Sequence, residues 1–143
     1  MKIYLLIILL TFLSNLTHSI EFDDKLELAK QGDAFAQAKL GSMYFTGRGV
    51  QQDYKAAVMW YTKAAEQGSA KAQGTLALMY AMGKGVPESD IKAYVWGSMA
   101  KANGNQIAKD YIEGLKKRMT KEQIAKAQEI GSKCYESDYK DCN

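Results

Sequence analysis

Two short stretches of the sequence have the spacing in which a serine nucleophile lies next to a lysine base. They run from Ser89 to Lys92 and from Ser98 to Lys101. A lysine one helical turn after a serine can accept the hydroxyl proton during attack on an acyl group. The pattern arises easily in a lysine-rich helix, and neither Lys-Thr-Gly nor Ser-Asp-Asn accompanies it. We therefore interpret Ser89 as a helix cap and predict no catalytic residue and no enzyme.

Carboxylates are the next candidates for chemistry, because a pair of them can supply the acid and the base for glycan hydrolysis. Most acidic residues here fall at expected helix starts or on polar faces, where capping and solubility explain them. Two cysteines without a histidine make an incomplete zinc site. We therefore predict no metal site and no cofactor. The acidic candidates are Asp23, Asp24, Asp53, Glu66, Glu88 and Asp90.

Both cysteines lie near the C-terminus, Cys134 at the end of an expected helix and Cys142 among the last residues. In an exported protein, the oxidising surroundings favour a disulfide between them. Closing so short a loop stabilises a fold by about 2 to 3 kcal/mol in the chain-entropy model. We expect the bond to tie the tail, residues 134–143, to its own helix, with little effect on the rest of the chain.

The N-terminal segment is typical of a secretory signal peptide. Lys2 precedes a largely apolar run over residues 3–13, and small or polar residues follow. Thr17 and Ser19 occupy the minus-three and minus-one positions of a cut before Ile20. The alternative is an uncleaved membrane anchor, but the apolar stretch is shorter than the roughly 20 residues that span a bilayer.

Cleavage would remove residues 1–19 and with them His18, the only histidine of the chain. The usual side chain for proton transfer near neutral pH would then be lost. The remaining protein is predicted to be periplasmic or secreted, without a stable membrane span. A net charge of +3 in 143 residues is too small to indicate a nucleic-acid partner.

The elements that position these residues are set by a tandem repeat, about residues 32–67 and 68–103. Placed one above the other without a gap, the two copies are identical at thirteen of 36 positions. A period of this size indicates a helical solenoid. The paired residues are Gly32/Gly68, Ala34/Ala70, Ala36/Ala72, Gln37/Gln73, Leu40/Leu76, Met43/Met79, Tyr44/Tyr80, Gly47/Gly83, Gly49/Gly85, Val50/Val86, Ala57/Ala93, Trp60/Trp96 and Ala64/Ala100.

Each copy reads as a helix, a glycine turn and a second helix. Apolar residues recur at helical spacing on both sides of Gly-x-Gly-Val, where glycine can adopt the left-handed backbone that ends a helix. Asp53 and Ser89 occupy the same repeat position and are predicted to cap the second helices. The two tryptophans are expected to be buried between adjacent repeats.

The flanking sequences are predicted to close the array. Residues 22–31 align with the back half of a repeat and form a truncated leading helix, which covers the apolar side of the first full repeat. Residues 104–133 begin a third unit in register, lose the glycine turn and form closing helices. The last helix begins with a capping box at Thr120 and Gln123. The repeat domain is therefore predicted to span residues 20–133.

The motif Gly-Asp-Ala-x-Ala-Gln-x-x-Leu-Gly-x-Met-Tyr-x-x-Gly-x-Gly-Val, from Gly32 to Val50, resembles the Sel1-like repeat. The resemblance implies a tetratricopeptide-like fold, an all-α right-handed superhelical solenoid of antiparallel helix pairs. It implies an exported bacterial adaptor that binds other proteins. The second copy departs from the motif where Ala77 replaces Gly41 and Gly97 replaces Tyr61.

Secreted, cysteine-rich relatives in this family are linked to β-lactam binding or hydrolysis. The alternative function is therefore an enzyme or binder acting on cell-wall or β-lactam compounds. This chain lacks the regularly spaced cysteines of those relatives, and its two cysteines lie in the tail. We favour the adaptor function.

An adaptor of this architecture is expected to bind a protein or peptide in a groove lined by the first helices of its repeats. Residues off the core stripe of those helices are the candidates. Phe35 and Leu78 stand out, because exposed apolar residues often mark a partner site; packing against a neighbouring repeat would explain them equally well. The candidate groove residues are Phe35, Lys39, Ser42, Met43, Lys71, Thr75, Leu78 and Met79.

Overall fold

The computed structural model describes the backbone of residues 2–142 and the side chains of residues 3–13 and 21–142. Within these residues the regular elements are all α-helices. α2 pairs with α3 and α4 pairs with α5, so that each sequence repeat forms one helical hairpin. The predicted helical solenoid is confirmed. The helices are α1 (Lys2–Lys30), α2 (Ala34–Thr46), α3 (Tyr54–Ala65), α4 (Ala70–Met82), α5 (Asp90–Ala102), α6 (Gln106–Lys116) and α7 (Lys121–Glu136).

The turns inside the hairpins form as the glycine pattern predicts. Gly47 ends α2 with φ of 73°, and Gly83 ends α4 with φ of 62°, both in the left-handed region. Asp53 then accepts hydrogen bonds from the first amides of α3, and Ser89 accepts one from the backbone of α5. The same local chemistry therefore builds both hairpins.

The two tryptophans anchor separate parts of the core. Trp60 is 8% exposed and packs with Ala29 of α1 and Leu40 of α2. Trp96 is completely buried in a larger cluster that includes Ile112 of α6. Each tryptophan thus joins its own hairpin to a neighbouring element, as expected from the sequence.

The closing unit consists of α6 and α7, which both pack on α5. Asn105 caps α6 by accepting a hydrogen bond from Ala108 N. α7 begins with the predicted capping box, in which Thr120 and Gln123 each bond the other residue's backbone amide. Ala108, Ile112 and Leu115 complete the core on the far side of the second hairpin.

α1 is longer than the predicted leading helix, because it continues without a break from Lys2 to Lys30. Its second half covers the first hairpin through Phe22, Leu26 and Ala29. Its apolar side chains over residues 3–13 are exposed. No helix in the described part of the chain is long and apolar enough to cross a membrane. His18 and the predicted cleavage residues, Thr17 and Ser19, lie outside the described side chains.

Cys134 and Cys142 form a disulfide with their Cα atoms 4.5 Å apart. Both side chains are completely buried and belong to the large core cluster. Cys134 lies within the last turn of α7, which runs to Glu136. The tail therefore starts three residues later than predicted, and the disulfide lies inside the core.

The tail also returns to the second repeat. The Tyr139 hydroxyl donates a hydrogen bond to Asn103 Oδ1 at 3.1 Å. Its ring lies next to Gly68 in the turn between α3 and α4, 3.4 Å from where a Cβ would be. The expectation that the disulfide ties the tail only to its own helix is wrong. The backbone at Asp138 and Tyr139 is left-handed and turns the chain back onto the repeats.

Candidate functional site

Ser89 and Lys92 of the first serine-lysine pair each have a structural partner. Ser89 Oγ accepts a hydrogen bond from Lys92 N at 3.3 Å, so the hydroxyl serves as the cap of α5. The ammonium of Lys92 lies 5.3 Å from the centre of the Tyr80 ring, in a cation–π contact. Ser98 lines a cavity of about 370 Å³ between α5 and α7, and Lys101 is exposed. The prediction that Ser89 caps a helix is therefore confirmed.

The acidic candidates are dispersed over the fold. Asp53 caps α3 by accepting from Lys55 N at 2.9 Å and Ala56 N at 3.0 Å. Asp90 forms an ion pair with Arg118 of the loop after α6. Among the described residues no group of three histidine, cysteine, aspartate or glutamate side chains could hold a metal ion. Asp53 and Asp90 therefore have structural partners.

The structure brings three of the predicted groove residues together. Lys71, Thr75 and Leu78, all on α4, line a cavity of about 200 Å³ that faces α6. We call it the α4–α6 cavity. Gly97 of α5 and Tyr111 of α6 also line it.

A second cavity of about 350 Å³ continues from the first one, since both are lined by Leu78 and Tyr111. Met82 and Arg118 line this second part, which we call the Arg118 cavity. The two cavities form one groove between the first helix of the second repeat and the first helix of the closing unit.

The predicted groove residues of the first repeat lie apart from those of the second. Lys39, Ser42 and Met43 line a cavity of about 160 Å³ between α2 and α1. Phe35 is 66% exposed, and the Lys39 ammonium lies 5.4 Å from the centre of its ring. The first repeat therefore presents a separate surface that includes charged groups of α1, such as Lys25.

Met79 cannot belong to a binding surface, because its side chain is completely buried. It lies three residues after Leu76, and this spacing places both side chains on the same, inward face of α4. Met43 occupies the same repeat position and is half-buried against α1 residues. The inclusion of Met79 among the surface residues was wrong for this geometric reason.

The two departures from the repeat motif touch each other in the structure. In the first repeat, a Cβ on Gly41 would lie 2.9 Å from the Tyr61 ring, so the ring packs directly on the glycine. In the second repeat, Gly97 occupies the sequence position that corresponds to Tyr61, and a Cβ there would lie 3.8 Å from Ala77 Cβ. The tyrosine and glycine of the first repeat are thus replaced by two small residues, which leaves a space that α6 partly fills. A Cβ on Gly97 would lie 3.3 Å from Ile112 Cγ1 and 3.7 Å from Tyr111 Cδ1.

Tyr111 partly fills that space from the closing unit. Its hydroxyl donates a hydrogen bond to the Ala77 carbonyl oxygen at 3.3 Å. Burial raises the pKa of Tyr111 to about 12, while the neighbouring Arg118 lowers it and Asp90 raises it. A neutral, partly buried phenol therefore lines both cavities of the groove.

A buried polar ladder connects the repeats, and the sequence analysis did not predict it. Gln37 Nε2 donates to Ala29 O at 3.1 Å, and Gln67 Nε2 donates to Gln37 Oε1 at 2.7 Å. The second repeat reproduces these bonds from Gln73 to Ala65 O and from Asn103 to Gln73. The feature of the sequence that could have predicted this ladder is a glutamine at the same position of both repeats, inside an otherwise apolar stripe. The ladder shows that these glutamines are structural and not part of a site.

Comparison with known proteins identifies the repeats. Residues 34–69 and 70–105 match the family described as Sel1 repeat, two residues later than the limits that the sequence alignment gave. Among solved structures the chain is similar to c5321, a protective antigen present in uropathogenic Escherichia coli strains that displays an SLR fold. The TM-score is 0.80 and the sequence identity 31%. It is also similar to a Sel1 repeat protein from Oxalobacter formigenes, with a TM-score of 0.64 and 35% identity.

These similarities cover most of this chain and a smaller part of each relative. The match spans 85% of this chain and 26% of the antigen. For the Oxalobacter formigenes protein, it spans 66% of this chain and 39% of the other. No curated protein sequence matches the chain.

Proposed function

The chain belongs to the Sel1 repeat family, and from this premise we propose that it is an exported adaptor without enzymatic activity. Folds of this family are typically scaffolds for protein interactions. The adaptor holds a protein or peptide segment against the first helices of its repeats.

The observation that carries this proposal is the apolar surface along those helices. Phe35 is 66%, Leu78 44%, Met82 49% and Ile107 82% exposed. Large apolar side chains at such exposure cost solubility, and in a small protein a concentration of them marks an interaction surface. They lie on α2, α4 and α6, the elements that the repeat places in corresponding positions.

Export is supported by two features. The lysine and apolar run at the N-terminus have the form of a signal peptide. The buried disulfide is compatible with an oxidising compartment. We propose that residues 1–19 are removed and that the mature protein acts in the periplasm or outside the cell.

The alternative, action on cell-wall or β-lactam compounds, has no comparable support. Ser89 is used as a helix cap and Lys92 contacts Tyr80. We expect no hydrolysis of a chromogenic β-lactam by the purified protein. Hydrolysis that the Ser89→Ala variant abolishes would establish the enzyme instead.

The adaptor is tested by affinity capture from the exported fraction of the cells that make it. The tagged protein is compared with a Phe35→Glu, Leu78→Glu variant and with Met59→Glu as the control. Met59 is 47% exposed and lies on α3, outside the groove. We expect a captured protein that is retained by Met59→Glu and lost from the double variant. Capture that survives in a correctly folded double variant would show that the first helices of the repeats do not form the binding surface.

The same material tests export. Intact mass spectrometry should give a chain that begins at Ile20 and is two hydrogens lighter than the reduced form, because of the Cys134–Cys142 bond. A mass that retains residues 1–19 would favour the membrane anchor, and free thiols would contradict the bond.

A further inference from the structure

We propose that the α4–α6 cavity is the anchor pocket of the groove. It takes one apolar side chain of a protein partner that carries acidic residues next to this anchor. The proposal rests on the adaptor function above and narrows it to one place and one kind of partner.

Gly97 forms part of the wall of the pocket, at the repeat position where the first hairpin has Tyr61. In the first repeat, the Tyr61 ring covers Gly41. In the second repeat, α6 occupies part of the corresponding place, because a Cβ on Gly97 would lie 3.3 Å from Ile112 Cγ1 and 3.7 Å from Tyr111 Cδ1. The pocket is the space that remains beside Leu78 and Tyr111.

The pocket has room for one apolar side chain. Its volume is about 200 Å³. Among its lining residues Gly97 and Ala108 are buried, while Leu78 and Ile107 are exposed. An apolar side chain entering here would bury these two exposed side chains as well as itself.

The charges around the pocket favour an acidic neighbour of the anchor. Lys71 lines the α4–α6 cavity and Arg118 lines the Arg118 cavity, and none of the residues lining either cavity is acidic. Arg118 is partly neutralised by Asp90, which leaves exposed Lys71 as the main positive group. An exposed positive group beside an apolar pocket attracts a segment of opposite charge in a salt-dependent way.

The test is selection of peptides from a displayed random library on the protein purified as the cell exports it. We expect selected peptides that combine a leucine, methionine or aromatic residue with flanking aspartate or glutamate. A fluorescein-labelled copy of the strongest peptide is then titrated with variants whose circular dichroism matches that of the wild type. Leu78→Glu should weaken binding at least about tenfold, as expected for a central anchor contact. Lys71→Glu should weaken it and reduce its salt dependence, and Met59→Glu should leave the affinity unchanged.

The outcomes separate this inference from the adaptor function. Binding that is lost with Phe35→Glu and retained with Leu78→Glu would overturn the pocket and leave the adaptor standing. Selected peptides without acidic residues would overturn the partner chemistry. A library that yields no binding peptide would overturn both proposals.

Discussion

At the scale of single residues, Tyr111 contributes both to the groove and to the stability of the fold. Tyr111 lines both cavities, and its hydroxyl donates a hydrogen bond to the backbone of α4. The neutral form of this phenol is favoured, because ionisation would place a charge in a partly buried site.

This predicts a loss of stability at alkaline pH. The pKa of Tyr111 is raised to about 12 by burial, whereas an unfolded tyrosine ionises near pH 10. Between these values the unfolded chain loses its proton first, so the free energy of unfolding falls as pH rises from about 10 to about 12. Burial raises the pKa of Tyr61 and Tyr80 in the same direction.

Urea titrations of wild type and Tyr111→Phe at several pH values between 8 and 12 measure this effect. We expect the midpoint of the variant to fall less steeply with pH than that of the wild type. Tyr135→Phe, in which a ring that is 61% exposed is changed, serves as the control and should follow the wild type. Parallel curves for Tyr111→Phe and the wild type would contradict the role of burial.

At the scale of elements, the contact between α2 and α3 depends on the absence of a side chain at Gly41. Alanine there would place Cβ 2.9 Å from the Tyr61 ring. The resulting overpacking costs about 1 to 3 kcal/mol, against a gain of about 1 kcal/mol in helix propensity. We expect Gly41→Ala to lower the free energy of unfolding, as measured by thermal melting.

Gly114 provides the matched control on α6. It is exposed, and a Cβ there would have no atom within 4 Å. Gly114→Ala should therefore stabilise the protein by up to about 1 kcal/mol. Equal effects of the two substitutions would show that Tyr61 can move away from α2 without cost.

The elements were largely predictable, because their signals are local. Glycine turns, caps and the capping box at Thr120 are each encoded within four residues, and all of them form. The burial of Met79 could have been predicted from its spacing of three residues from Leu76. The prediction placed the inward face of α4 one residue position away from where it lies. The groove of the second repeat depends on what Gly97 meets from α6, and a contact between distant segments is not visible in the sequence of either.

At the scale of the whole molecule, the tail and its disulfide close the array. The bond lies in the main core cluster, and Tyr139 joins the ladder of amides through Asn103. The return of the tail could not be predicted, because it depends on left-handed backbone at Asp138 and Tyr139, residue types that do not require it.

We predict that removing the disulfide loosens more than the tail. The Cys134→Ala, Cys142→Ala variant should lose about 2 to 3 kcal/mol from loop closure. It should also show faster hydrogen exchange in the turn around Gly68, which Tyr139 covers. Tyr139→Phe keeps the ring and removes one hydrogen bond, so its loss should be smaller, about 0.5 to 1.5 kcal/mol. Faster exchange confined to residues 137–142 in the double variant would show that the tail supports only itself.

The turn after α4 ties the second hairpin to the first. A Cβ on Gly85 would overlap Tyr54 O, so this turn rests on the backbone at the start of α3. The Lys84 ammonium lies 5.3 Å from the centre of the Phe45 ring and 5.2 Å from that of the Tyr54 ring. These partners belong to the hairpin that precedes the turn in the chain. A chain synthesised from its N-terminus therefore contains the partners of this turn before the turn itself is made.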